Sequence, residues 1–198
     1  ILALVASCFF ALSALAADAS KSPGVQKFEA VVDAALDKLQ TIPDYTYHLR
    51  KHERVGEDLQ DPQFLFTKIR HQPFSVYLKF TNPANVQGKE AIYVEGQNGG
   101  KLVGHGVGFQ KIFGTQKLDP KSALAMMGNR NPITDAGMKN ILLKLKQNLA
   151  RPEVTAAYQF VMLDEDALVD KRPCFCLEIR NPKPERDNLY ARSRITFD

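Results

Sequence analysis

His48 and His52 stand four residues apart in Y-T-Y-H-L-R-K-H-E-R. On a helix that spacing would put both imidazoles on one face and suit a zinc ion. The run alternates instead, with Tyr45, Tyr47 and Leu49 at every second position, so it reads as a strand. A rise of ~3.3 Å per residue then separates the two histidines by about 13 Å. They read as solvated side chains, and His71 and His105 are isolated in sequence. Cys174 and Cys176 form a C-x-C within a strand-like run, Arg172 to Arg180. Residues two apart on a strand lie about 6.6 Å apart at Cα, the far limit for a disulfide. Three readings stand for this pair: packed thiols, which is favoured, a strained local disulfide, and a redox or metal role. C-x-C alone lacks the further ligands a metal needs. Asp164, Glu165 and Asp166 read as an acidic connection between strands, because the glycine and terminal Glu of a calcium loop are absent.

No G-x-S-x-G or H-E-x-x-H occurs. The glycines from Gly96 to Gly108 do not open a helix, so they read as turns and bulges and not as a phosphate cradle. The most distinctive polar run is Asn129-Arg130-Asn131-Pro132-Ile133-Thr134. Arg130 there could guard a cavity mouth or bind an acidic group. The plainer reading, which is favoured, is a loop that satisfies the open N–H groups of a following helix. The sequence therefore predicts no catalytic residue, no metal and no cofactor, and the chain is not expected to be an enzyme.

The elements that would position these residues are clearer. Ile1 to Ala16 is apolar or small throughout, and Ala14-Leu15-Ala16 is a small-x-small cleavage site followed by Asp18 and Lys21. That is the end of a secretory signal peptide, partial because no initiator Met precedes it. Val5-Ala6-Ser7-Cys8 loosely resembles a lipoprotein box, but cleavage after Ala16 is favoured. The run is shorter than the ~20 residues of a membrane span, so no integral span is expected after cleavage. Residues 17–198 form one domain's worth of chain, read as truncated at the C-terminus because a strand starting at Tyr190 runs into the last residue. Lys and Arg number 26 against 22 Asp and Glu, a net +4, with the signs interleaved as in K-H-E-R. No basic block with aromatic platforms is present, and no nucleic acid is expected.

The stretch from Pro73 to Gly106 carries the fold. Phe74, Val76, Leu78 and Phe80 alternate with Ser75, Tyr77 and Lys79, a period-two strand with one apolar face. Glu90 to Glu95 is the next strand, Gly96 to Gly100 a turn, and Lys101 to His105 the strand back. Asp44 to Val55, Gln63 to Arg70, Phe109 to Lys117, Ala157 to Leu163 and Arg172 to Arg180 also read as strands. Ser22 and Pro23 open a helix whose Val25, Phe28, Val32, Leu36 and Leu39 share one face before Pro43 ends it. Thr134 is placed as the cap of a second helix, with Met138, Ile141, Leu142, Leu145 and Leu149 as its buried stripe. The expected class is α+β, a single curved antiparallel sheet with helices near residues 23–40 and 134–149 against it.

The order of these elements resembles the LolA/LolB-like superfamily of bacterial periplasmic lipoprotein carriers. The matching residues are Pro73, Phe74, Phe80, Pro83, Glu95-Gly96 and Leu102. The run M-G-N-R-N-P-I-T-D-A-G from Met127 to Gly137 resembles an uncharacterised secreted bacterial family within it, carried as a domain of unknown function. The resemblance implies a curled sheet forming an incomplete barrel, with helices on its concave side and a location in the periplasm or cell envelope. It also implies an apolar hollow for an acyl chain, a lipoprotein or another apolar ligand. Tyr45, Tyr47, Phe74, Val76, Leu78, Phe80, Ile92 and Val94 are the candidate liners. The alternative is an envelope scaffold or sensor module whose core is solid, with Met126 and Met127 helping to fill the hollow. Two features depart from the carrier pattern: the chain has no Trp, and it carries a long central insert from Phe109 to Pro152.

Overall fold

A computed structural model of the chain describes residues 21–169, 172–183 and 191–197. The expected signal peptide, Ile1 to Ala16, lies outside the described residues. The chain divides into two compact units, one of Asp37–Ile141 and one of the residues before and after it.

In the unit of Asp37–Ile141, six strands form one sheet in the order β1-β4-β5-β6-β7-β8. They are β1 (Asp44–Lys51), β4 (Gln63–Arg70), β5 (Ser75–Asn82), β6 (Glu90–Val94), β7 (Leu102–His105) and β8 (Thr115–Leu118). Every neighbouring pair is antiparallel. Between β1 and β4 the chain makes a small ribbon of β2 (Arg54–Val55) and β3 (Asp58–Leu59). The core lies on one face, where Leu65, Ile69, Val76, Phe80 and Leu102 are buried. The expected meander is present, but the sheet is open and not strongly curled. Closing it would need β1 to pair with β8, and both remain edges. The expected strand at Phe109–Lys117 is a 3-10 stretch, Gly108–Phe113, followed by the four residues of β8. A short helix, α2 (Ala123–Met126), follows, with Ser122 as its cap.

The other unit has a separate three-stranded antiparallel sheet, β11-β10-β9. Its strands are β9 (Gln159–Val169), β10 (Arg172–Arg180) and β11 (Arg192–Phe197). The last strands of the chain thus build a second sheet and do not extend the first, which corrects the expectation of a single one. Asp164, Glu165 and Asp166 fall inside β9, not in a connection. Helix α1 (Pro23–Gln40) starts where Ser22 and Pro23 predict, with the Val25 N–H donating to Ser22 Oγ. Val25, Phe28 and Val32 are buried, and Phe28 meets Phe160 of β9 edge-on at 5.4 Å.

Helix α3 (Met138–Leu149) starts four residues after Thr134. Residues Ile133–Asp135 form a 3-10 turn instead, and Gly137 has a φ of 97°, which favours glycine. Leu142, Leu145 and Leu149 are buried as expected, whereas Met138 and Ile141 are exposed. A further helix, α4 (Pro152–Ala157), leads into β9.

Candidate functional site

Antiparallel pairing fixes which side chains of the six-stranded sheet share a face. Tyr45, Tyr47 and Leu49 of β1 stand opposite Ile69, Thr67 and Leu65 of β4. Those three stand opposite Val76, Leu78 and Phe80 of β5, and Val76 and Leu78 stand opposite Tyr93 and Ala91 of β6. Since side chains alternate, all of these lie on one face. Phe74, just before β5, joins them, its ring 6.2 Å from that of Tyr93. Six of the eight sequence candidates, Tyr45, Tyr47, Phe74, Val76, Leu78 and Phe80, are therefore gathered.

Ile92 and Val94 are not. They stand opposite Tyr77 and Ser75 and so occupy the other face. The sequence reading placed them one residue out of phase, and a one-residue slip moves every side chain of a strand across the sheet. Their opposite face is wet: Lys68 lies 5.7 Å from the rings of both Phe66 and Tyr77, and Lys79 pairs with Glu90 at 3.4 Å.

Burial on the apolar face is graded. Val76 is 1% exposed and Leu65 and Ile69 are 2% exposed, while Tyr45, Tyr47, Leu49, Leu78 and Tyr93 are half-buried. The Tyr45 and Tyr47 rings stack at 5.9 Å. Burial pushes both phenols above their ordinary pKa. Part of the cover comes from the central insert. The Met138 N–H donates to Tyr45 Oη at 2.7 Å, and a Cβ added at Gly137 would stand 3.2 Å from that oxygen. Glycine at 137 therefore permits the close approach as well as the positive φ.

The polar run after Met127 docks at the far end of β1. Lys51 Nζ donates to the Gly128 carbonyl at 2.7 Å and to Asn129 Oδ1. The Arg130 N–H donates to Glu53 Oε2 at 3.2 Å, and Glu53 lies 3.6 Å from Lys51 Nζ. These contacts hold the loop against the ends of β1 and the ribbon, a different arrangement from a cap on the following helix. Lys51 was missed as a site residue, although its parity with Tyr45, Tyr47 and Leu49 gives its face away. Lys89 was missed too. Its neighbour Glu90 points to the wet face, so Lys89 belongs to the apolar one, where its Nζ lies 5.4 Å from the Phe80 ring centre.

Elsewhere, Cys174 and Cys176 are thiols on β10, and Cys176 is buried. Among the described residues no three of His, Cys, Asp and Glu gather closely enough to hold a metal ion. No described helix is long and apolar enough to cross a membrane.

The fold and site define a small α+β protein that offers one graded apolar face of an open antiparallel sheet. The chain belongs to the DUF1571 family, described as "Protein of unknown function", whose pattern matches residues 42–198. No curated protein matches the chain. A DUF1329 family protein from Desulfovibrio piger is similar at 15% identity, with a TM-score of 0.37, over 84% of this chain. The chain spans 65% of that protein's length.

Proposed function

We propose that the chain is an exported binding protein, and not an enzyme, that holds an acyl chain, a lipoprotein's acylated end or another apolar ligand in the cell envelope. The observation that carries this reading is the row of half-buried Tyr45, Tyr47, Leu49, Leu78 and Tyr93 on one face of the six-stranded sheet. Small-molecule sites are mostly apolar, with a few polar groups at fixed positions. Here the polar groups are the Tyr45 phenol, Thr67 and Lys51. Two features of the sequence support the same reading: the likeness of the Pro73 to Leu102 pattern to periplasmic carriers, and the uncharged start of the chain.

Native mass spectrometry of the protein expressed into a periplasm, with titration by a fluorescent fatty acid, tests the proposal. The expected result is a co-purifying lipid or saturable binding of the probe. Absence of both a co-purifying lipid and probe binding would overturn it. The alternative is an envelope scaffold or sensor module with a solid core. The near-complete burial of Leu65, Ile69, Val76, Phe80 and Leu102 favours that alternative, since interiors without voids are the ordinary outcome of packing.

A further inference from the structure

Two lysines are sunk into the apolar face at one end of the six-stranded sheet. Lys51 closes the covered row of β1, and its side chain is only 11% exposed. Opposite it, Gln63 has a buried Oε1 that meets no hydrogen-bond partner among the described residues. Lys89 enters from the start of β6, where its carbonyl accepts from the Phe80 N–H at 2.9 Å and its ammonium rests over the Phe80 ring.

The two charges differ in how they are balanced. Lys51 has Glu53 and the Gly128 and Asn129 oxygens. Among the described residues no carboxylate pairs with Lys89, because the adjacent Glu90 is turned to the other face beside Lys79. Burial lowers the pKa of both lysines. Glu53 offsets this at Lys51, while the charge of Lys89 adds to it. A part-buried cation beside a second cation, on an aromatic floor, is costly by itself and a good arrangement for an anion.

From Lys51 the half-buried apolar row continues along β1 through Leu49 and Tyr47 to Tyr45. Six residue steps at ~3.4 Å make about 20 Å. One leaflet of a bilayer is about 15 Å thick in its hydrocarbon part, so the row is long enough for one membrane-derived chain.

We infer that the ligand is an anionic single-chain amphiphile, with its carboxylate or phosphate head between Lys51 and Lys89 and its tail along the half-buried Leu49, Tyr47 and Tyr45 of β1. This rests on the apolar-ligand reading of the same face and adds the chemistry of the headgroup.

The test is competition against a polyene fatty acid that fluoresces in apolar surroundings, with dodecanoate, dodecyl phosphate and dodecanol as competitors. Both anions are expected to bind about ten-fold or more tightly than the alcohol, the scale of a hydrogen bond to a charged group. Preference between the two anions identifies which headgroup the site takes. Lys89→Met keeps an unbranched side chain one atom shorter and removes its charge. It is expected to bring the anions to the alcohol's level, leave dodecanol unchanged and not lower the melting temperature of the ligand-free protein. Lys89→Arg is expected to retain the preference for anions. Equal affinity for dodecanol and the anions, or anion binding unchanged in Lys89→Met, overturns the inference and leaves the apolar-ligand reading standing. No binding of any of the three overturns both.

Discussion

Glu178 is the one charged residue that is buried among the described residues. It is 0% exposed on β10, yet it accepts from Arg180 Nε on its own strand and from Arg194 Nε directly across on β11. Those hydrogen bonds, Arg180 first and then Arg194, hold its pKa below the usual range of a glutamic acid. A depressed folded-state pKa contributes stability above the unfolded value, near 4.3, and that stability is lost as pH falls through the folded one. Glu178→Gln is therefore expected to lower the melting temperature at neutral pH, because two guanidiniums lose their counter-charge. The gap from the parent should narrow as pH drops below the carboxylate range. Melting curves at about pH 7 and about pH 3 measure this, and an equal gap at both would refute the assignment. Nothing in the sequence marked Glu178 out, because a Glu flanked by Leu177 and Ile179 on a strand is ordinary on a wet face. Its burial follows from cross-strand pairing with Arg194, a partner 16 residues away.

Helix α1 shows what a sequence determines at the scale of an element, and also what it does not. Its start at Ser22-Pro23, its stop before Pro43 and its buried Val25, Phe28 and Val32 were all legible, since capping chemistry and a 3.6-residue period are local properties. The surface it meets was not legible. A Cβ placed at Gly24 would stand 2.7 Å from the Phe160 carbonyl oxygen, a backbone atom that cannot swing aside. Gly24→Ala would gain up to ~1 kcal/mol of helix propensity, while overpacking costs about 1–3 kcal/mol. The clash is expected to win, and a variant more stable than the parent in urea would show that the contact is looser. Phe28→Ala, at 0% exposure against Phe160, is expected to cost about 3–5 kcal/mol in the same assay. Other elements were legible only in part. The start of α3 moved because Gly137 and the Asn140 side chain, which donates to the Thr134 and Ala136 carbonyls, end the preceding turn first. Asp164 to Asp166 sit in β9 at a break in its register, between Leu163 and Ala167, whose pairing with Cys176 and Cys174 of β10 carries the strand past them. The phase of β6 was ambiguous because Ala91 and Tyr93 suit an apolar face about as well as Ile92 and Val94. Only the register with β5 decides it.

Across the whole molecule, stability should follow strand position within each sheet. In the six-stranded sheet β4 is paired on both sides and buries Leu65, Thr67 and Ile69, and its neighbour β5 buries Val76 and Phe80. Edge strand β8 has four residues, of which Thr115, Gln116 and Lys117 are exposed. In the three-stranded sheet β10 is the central strand, and Cys176, Leu177 and Glu178 are buried on it. Local opening needs less free energy where few apolar groups are covered and one ladder is missing. Native-state hydrogen exchange is therefore expected to find two protected centres, at Leu65–Ile69 with Val76–Phe80 and at Cys176–Glu178. The amides of Thr115–Lys117 should exchange fastest among the strands of the larger sheet. Addition of a bound amphiphile should slow exchange along Tyr45–Lys51 and at Lys89, and leave Cys176–Glu178 unchanged, because the proposed site lies on the six-stranded sheet alone. Slower exchange at β8 than at β5 in the free protein would refute the graded stability. Ligand protection centred on β10 would move the site to the other sheet.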